Sequence, residues 1–204
     1  MDRCELEAIA DVAYAWAHVD LMHPSVIAVA RALLGPHAVI RGLRPRHASA
    51  CLTRVRDNWR IVVSRSLPRA YALFFVGHEL AHWLMDLCGV KNDDNEEAAA
   101  DYLAAALLAP RETFRAALRE LGEDLPALAN VFHVTETCAA LRLGEVTGQP
   151  LAVVTPHRVH VRGPEEWVWP DEMTLRAWTR KTPPGVRSTR LTDDPRRVVL
   201  GVEQ

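Results

Sequence analysis

Two imidazoles and a carboxylate carry the chemistry available to this chain. They stand in the run His78, Glu79, Leu80, Ala81, His82, with the histidines four residues apart. On an α-helix such residues lie about 40° apart around the axis and one turn along it. Two imidazoles so placed can hold one ion together. Glu79 projects to the side of the pair, close enough to hold a water on the metal without occupying the metal. Zinc lowers the pKa of such a water to about 7, and the glutamate accepts its proton. Phe74, Phe75, Val76, Leu80, Trp83, Leu84 and Leu87 surround the run. A buried helix should not carry three such polar groups unless something compensates their desolvation.

A catalytic zinc takes three protein ligands and keeps a fourth position open. Asp86 continues the histidine face, but it lies two turns on, about 12 Å along the axis from His78, too far for a straight helix to bring it to the same ion. Glu96 and Glu97 both begin the next helix. Glu97 and Asp101 stand at i and i+4 on one face, which suits a glutamate on the metal and an aspartate behind it, hydrogen-bonded to a ligating imidazole. Ala98, Ala99, Ala100, Ala104 and Ala105 would let the two helices approach closely. This pattern favours Glu97 over Glu96.

The elements that must position these groups are readable around them. Apolar periodicity predicts helices over residues 4–20 and 24–34, the second stopped by Gly35 and Pro36. A short strand is expected at 37–41. Residues 50–56 and 59–64 flank Asp57 and Asn58 as a β-hairpin. A long helix over 70–88 follows, closed by Gly89. Asp93 and Asp94 place acids at the positive end of another helix that runs to Leu108. Helices over 111–121, 125–132 and 135–143 and a hairpin of 151–154 with 159–161 complete the pattern. Beyond residue 163 it degrades into five prolines, three tryptophans and one helix at 171–180. The expected organisation is a domain over residues 1–163 and an appendage or tail over 164–204, with Trp167 and Trp169 on a strand or a docked segment.

Composition narrows the setting. The 204 residues are 49% hydrophobic and 25% charged with a net charge of −2, which excludes wholesale disorder and a uniformly basic coat. Cys4, Cys51, Cys88 and Cys138 form no CxxC pair, which excludes a cysteine-based zinc ribbon, and they read as reduced thiols. The most apolar stretch contains His78, Glu79, His82 and Asp86 and so is no membrane span. No targeting segment is visible, and a cytoplasmic location is expected. Charge is segregated: residues 41–69 sum to +7 and residues 86–124 to −6.

Several stretches together resemble the ImmA/IrrE metallopeptidases: Trp59 with Ile61 and Val62, His78 to His82, the pattern Glu97-x-x-Ala-Asp-x-Leu-Ala-x-x-Leu-Leu-x-Pro110, and the segment from Leu128 through Phe132 and Val134 to Arg142 and Leu143. The resemblance covers about residues 1–160. It implies a gluzincin-like zinc peptidase with His78, His82 and Glu97 on Zn2+ and Glu79 as general base. Asp101 stands where the family often has asparagine and still suits a place behind a ligating histidine. Ala81, Leu103 and Ala109 replace glycine, phenylalanine and methionine. The resemblance also implies a substrate class, helix-turn-helix repressors of the XRE type, cleaved to relieve repression of mobile elements or stress genes.

Residues 125–143 have the outline of a helix-turn-helix. The second helix offers Glu136, Ala139, Ala140 and Leu141 with one arginine, whereas a recognition helix needs several polar or basic side chains. It reads as core. His133, His157, His160 and Tyr102 are candidates for a donor to the oxyanion. The expected whole is an α+β protein, a mainly helical zincin-like domain with a small antiparallel sheet. Its histidine-bearing helix packs on a second, glutamate-bearing helix. Its expected activity is a zinc-dependent endopeptidase acting on a protein, with no membrane or direct nucleic-acid partner. The competing readings are a zinc-containing module that sequesters a repressor or toxin without cutting it, a DNA-binding regulator, and a zinc hydrolase of a non-peptide substrate.

Overall fold

A computed structural model describes residues 2–42, 49–90, 96–163 and 167–202. The chain divides into two compact units. The first comprises residues 1–114 with 132–134, and the second residues 115–131 with 135–204. The division thus falls at 114/115. The fold is α+β, with helices predominating.

The first unit contains α1 (Arg3–Ala17), α2 (Val26–Leu34), β1 (Val39–Gly42), β2 (Ala50–Val55), β3 (Asn58–Ser64), α3 (Arg69–Leu87) and α4 (Glu96–Leu108). Asp2 and Ser25 cap α1 and α2, their side chains accepting from Cys4 and Ala28 N–H. The three strands run in the order β1-β3-β2. β1 pairs with β3 in parallel, and β2 pairs with β3 antiparallel. The sheet is therefore mixed rather than antiparallel. The turn of the hairpin also differs from expectation. Val55 faces Asn58, so the turn residues are Arg56 and Asp57, and Arg56 takes a left-handed φ of 56°.

Buried Ile61 and Val63 lie on β3, and α3 packs against β2 and β3. α3 ends as the sequence suggests: Gly89 takes a φ of 68° and its N–H bonds back to Asp86. The expected start of the next helix at Asp93 and Asp94 lies outside the described residues.

α3 and α4 pack directly on each other. At Gly77 a side-chain carbon would meet Ala104 Cβ at 3.3 Å. Ala99, Ala100, Ala104, Ala105 and Ala106 are all buried along α4. α1 closes the other side. The buried Tyr14 hydroxyl donates to the Leu107 carbonyl at 2.5 Å, one of the last α4 carbonyls, which has no partner within the helix. Burial in turn raises the Tyr14 pKa well above its ordinary value.

The second unit contains α6 (Leu125–Phe132) up to residue 131, α7 (Glu136–Thr147), β4 (Leu151–Val154), β5 (Val159–Arg162), α8 (Glu172–Trp178), β6 (Val186–Arg190) and β7 (Val198–Val202); α5 (Arg111–Leu121) spans the boundary. Its four strands run β5-β4-β7-β6, all antiparallel. Ala152 and Val154 pack with Leu175, Val198 and Leu200, and Trp169 and Trp178 lie against this cluster. A cut at residue 163 would thus separate β4 from β7, its hydrogen-bonded neighbour. The strand β6 is not legible in the sequence because exposed Arg187, Ser188, Thr189 and Arg190 carry no alternation. α7 is core, as read: Cys138, Ala139, Ala140 and Leu143 are buried. Arg142 is wholly buried, 3.4 Å from Glu145, which also binds Arg162 at 2.6 Å.

The close contact of α3 with α4 makes a prediction. Gly77→Val places a branched side chain against Ala104, and overpacking of this kind costs about 1–3 kcal/mol. The urea midpoint should fall with an unchanged slope.

Candidate metal centre

The three donors expected from the sequence converge. Nε2 of His78 and Nε2 of His82 lie 3.2 Å apart on successive turns of α3. From α4, the Glu97 carboxylate reaches both, Oε2 at 3.3 Å from His78 Nε2 and Oε1 at 3.5 Å from His82 Nε2. Zinc bonds of about 2.0–2.1 Å in a tetrahedron imply donor separations of about 3.3 Å, which these three distances match. Among the described residues, His78, His82 and Glu97 are the group of potential ligands close enough to share one ion. Exposed Asp86 is not in it.

The far side of each imidazole is held by its own carboxylate. His78 Nδ1 donates to Asp101 Oδ1 at 2.9 Å, and His82 Nδ1 donates to Glu96 Oε1 at 2.9 Å. Protonation at Nδ1 leaves the Nε2 lone pairs free to face the ion, and the anionic partner raises ring basicity. The role of Glu96 was missed in the sequence, where it competed with Glu97 as a ligand. Adjacent residues on a helix point about 100° apart, so one glutamate faces the Nε2 edges and the other reaches the flank of His82.

Burial by itself lowers the His78 pKa. The hydrogen bond to Asp101 and the charges of Asp101, Glu97 and Glu79 outweigh it, and the pKa is raised. Four carboxylates gather around two imidazoles. The charge and donor types of this group suit a divalent cation. Glu97 is 81% exposed at its side chain, so the site opens to solvent and retains room for a further ligand.

Glu79 does not reach toward the ligand group alone. Its Oε2 accepts the backbone N–H of Leu52 at 2.7 Å. Leu52 lies on β2, an edge of the described sheet, whereas β3 is central. The Leu52 bond anchors one carboxylate oxygen and leaves Oε1 available.

The oxyanion candidates fare differently. Tyr102 is buried and its hydroxyl donates to Glu7 at 2.8 Å, beside Arg111, so it is committed to a structural cluster. His133 is exposed in a turn with a left-handed φ of 54°. His157 and His160 belong to the second unit.

The profile of one family, described as Peptidase_M78: IrrE N-terminal-like domain, matches residues 38–144. This span contains the sheet, both helices of the site and most of α7. A search of curated proteins finds no match. Among solved structures, a Mycobacterium tuberculosis transcriptional regulator is similar in fold, with a TM-score of 0.67 and 15% identity. The alignment covers 98% of this chain and 76% of that one.

Two outcomes check the site. Glu96→Gln and Asp101→Asn should each weaken zinc binding by about 10–100-fold, because each removes an anionic partner from a ligating imidazole. Competition with a chromophoric chelator measures this. The second concerns pH. A raised His78 pKa in the metal-free protein means that its imidazolium stabilises the fold. That contribution is full below the ordinary value of about 6.5 and is lost as pH rises through the raised pKa. Denaturant titrations of the metal-free protein from pH 5 to 9 should show this loss, and His78→Gln should remove it.

Proposed function

The chain belongs to the family of the IrrE N-terminal-like domain, Peptidase_M78, and on that premise we propose that it is a zinc-dependent endopeptidase of the bacterial cytoplasm. The observation that carries the proposal is the convergence of His78 Nε2, His82 Nε2 and the Glu97 carboxylate beside Glu79. His78, His82 and Glu97 would hold the metal, with Asp101 and Glu96 behind the two imidazoles. Bound zinc supplies Lewis acidity, polarising a carbonyl and making water acidic near neutral pH.

The chain's own residues supply the rest. Glu79 is fixed at Oε2 by Leu52 N–H, and Oε1 accepts a proton from the attacking water. The same carboxylic acid then delivers that proton to the departing amine nitrogen. The outer edge of β2 offers backbone groups to an extended substrate.

The substrate proposed is a helix-turn-helix repressor of the XRE type, carried over from the family resemblance. The structural likeness to a protein described as a transcriptional regulator gives that reading a regulatory setting. The competing reading is a zinc-containing module that sequesters its target without cutting it.

Metal analysis and cleavage separate the two. Wild type should carry about one zinc per chain, and His82→Ala should lose it. Incubated with a helix-turn-helix repressor of the XRE type, wild type should give two fragments by mass spectrometry. Glu79→Gln should retain zinc and lose cleavage by a factor of about 100 or more. Zinc with binding and no fragments from wild type would establish the sequestering module. A wild type without metal would overturn both.

A further inference from the structure

The first unit holds a second concave site, on the flank of α3 away from the histidines. At 100° per residue, Arg69, Ala72, Leu73 and Val76 cluster on roughly the opposite side of the helix from His78 and His82. They line a groove of about 430 Å³ with Ile27 and Arg31 of α2, Val39 and Arg41 of β1, and Val63 of β3. That size is within the range of small-molecule sites.

The groove is chemically sorted. Its floor is entirely aliphatic, with no aromatic face for stacking a base and no uncharged polar side chain for reading one. Its rim carries three exposed arginines from three different elements. Among the described residues none of the three side chains has a hydrogen bond or an ion pair, and no carboxylate lines the groove. Arg69 is also the first residue of a 19-residue helix, next to Pro68, and that helix end has no side-chain cap. A cation there opposes the helix dipole, which favours an anion at this end. Three unpaired guanidiniums at such a place are mutually repulsive until an anion neutralises them.

We infer that this groove binds a free aliphatic carboxylate, the carboxylate held by Arg31, Arg41 and Arg69 and the chain laid on Ile27, Val39, Val63, Leu73 and Val76. Guanidinium is the side chain best matched to a carboxylate, which it grips with two parallel N–H groups. The apolar floor selects for the chain, and neither part alone accounts for both features of the site. The inference stands independently of the proposed peptidase activity.

Isothermal titration of the full-length protein with monomeric decanoate tests it, with decan-1-ol and acetate as the chain-only and charge-only probes. Decanoate should bind with one-to-one stoichiometry, and decan-1-ol and acetate each at least about tenfold more weakly. Arg41→Ala should weaken decanoate about tenfold, and the triple variant Arg31→Ala, Arg41→Ala, Arg69→Ala should abolish binding. These are surface positions, and circular dichroism checks that each variant folds. Methyl resonances of Ile27, Val63 and Leu73 should shift on titration, while those of Val153 and Leu200 should not. No binding of decanoate to wild type, equal binding of decan-1-ol, or unchanged binding by the triple variant would overturn the inference. So would binding of phosphatidylglycerol vesicles or of an acidic peptide without binding of monomeric decanoate.

Discussion

The separation of α3 and α4 governs the chemistry of this protein. His78 and His82 come from one helix and Glu97 from the other, so the distance from either imidazole to the carboxylate is set by how near the two backbones lie. Gly77, immediately before His78, lies so near α4 that a side-chain carbon there would meet Ala104 at 3.3 Å. The buried alanines of α4 keep that approach open along the helix. Small residues contribute little apolar burial of their own. Larger buried side chains supply the apolar burial on both helices: Leu80 and Leu84 on α3, Leu103 and Leu107 on α4, with Tyr14 of α1 bonded to the Leu107 carbonyl.

Electrostatics then divides the roles among residues of one type. Four carboxylates surround the two histidines, and each has a different task because each meets a different atom. Asp101 and Glu96 accept hydrogen bonds from the Nδ1–H groups, which turns the Nε2 edges toward one point. Glu97 reaches that point itself. Glu79 is drawn aside by the Leu52 amide. An aspartate at 101 gives His78 an anionic partner where the related pattern often has a neutral amide, and this contributes to the upward shift of the His78 pKa.

α3 thus carries two unlike surfaces. One is a polar group of histidines backed by acids. The other is an aliphatic groove with an arginine rim and an uncapped helix end. The second unit has no comparable polar group among its described residues. Its buried charges include Arg142 paired with Glu145, which also binds Arg162. A network of that kind stabilises only while every member is paired.

The sequence by itself determined the site's ingredients, because ligand spacing on a helix is a local property. His78 and His82 at i and i+4 and Glu97 with Asp101 at i and i+4 needed only helical geometry to be legible. So did α3 to α7, whose apolar periodicity and glycine or proline ends are local signals. Tertiary structure decided what depends on partners far along the chain. It gave Glu96 its place against His82 Nδ1, a contact that helical spacing along α4 does not show. It put β3 in the centre of its sheet and β2 at the edge, because β1 pairs in parallel across a long connection. It drew β7 in beside β4, so residues that look like a tail complete a sheet. Strand order and helix separation are set by packing between distant segments, and a pattern read along one segment carries no record of them.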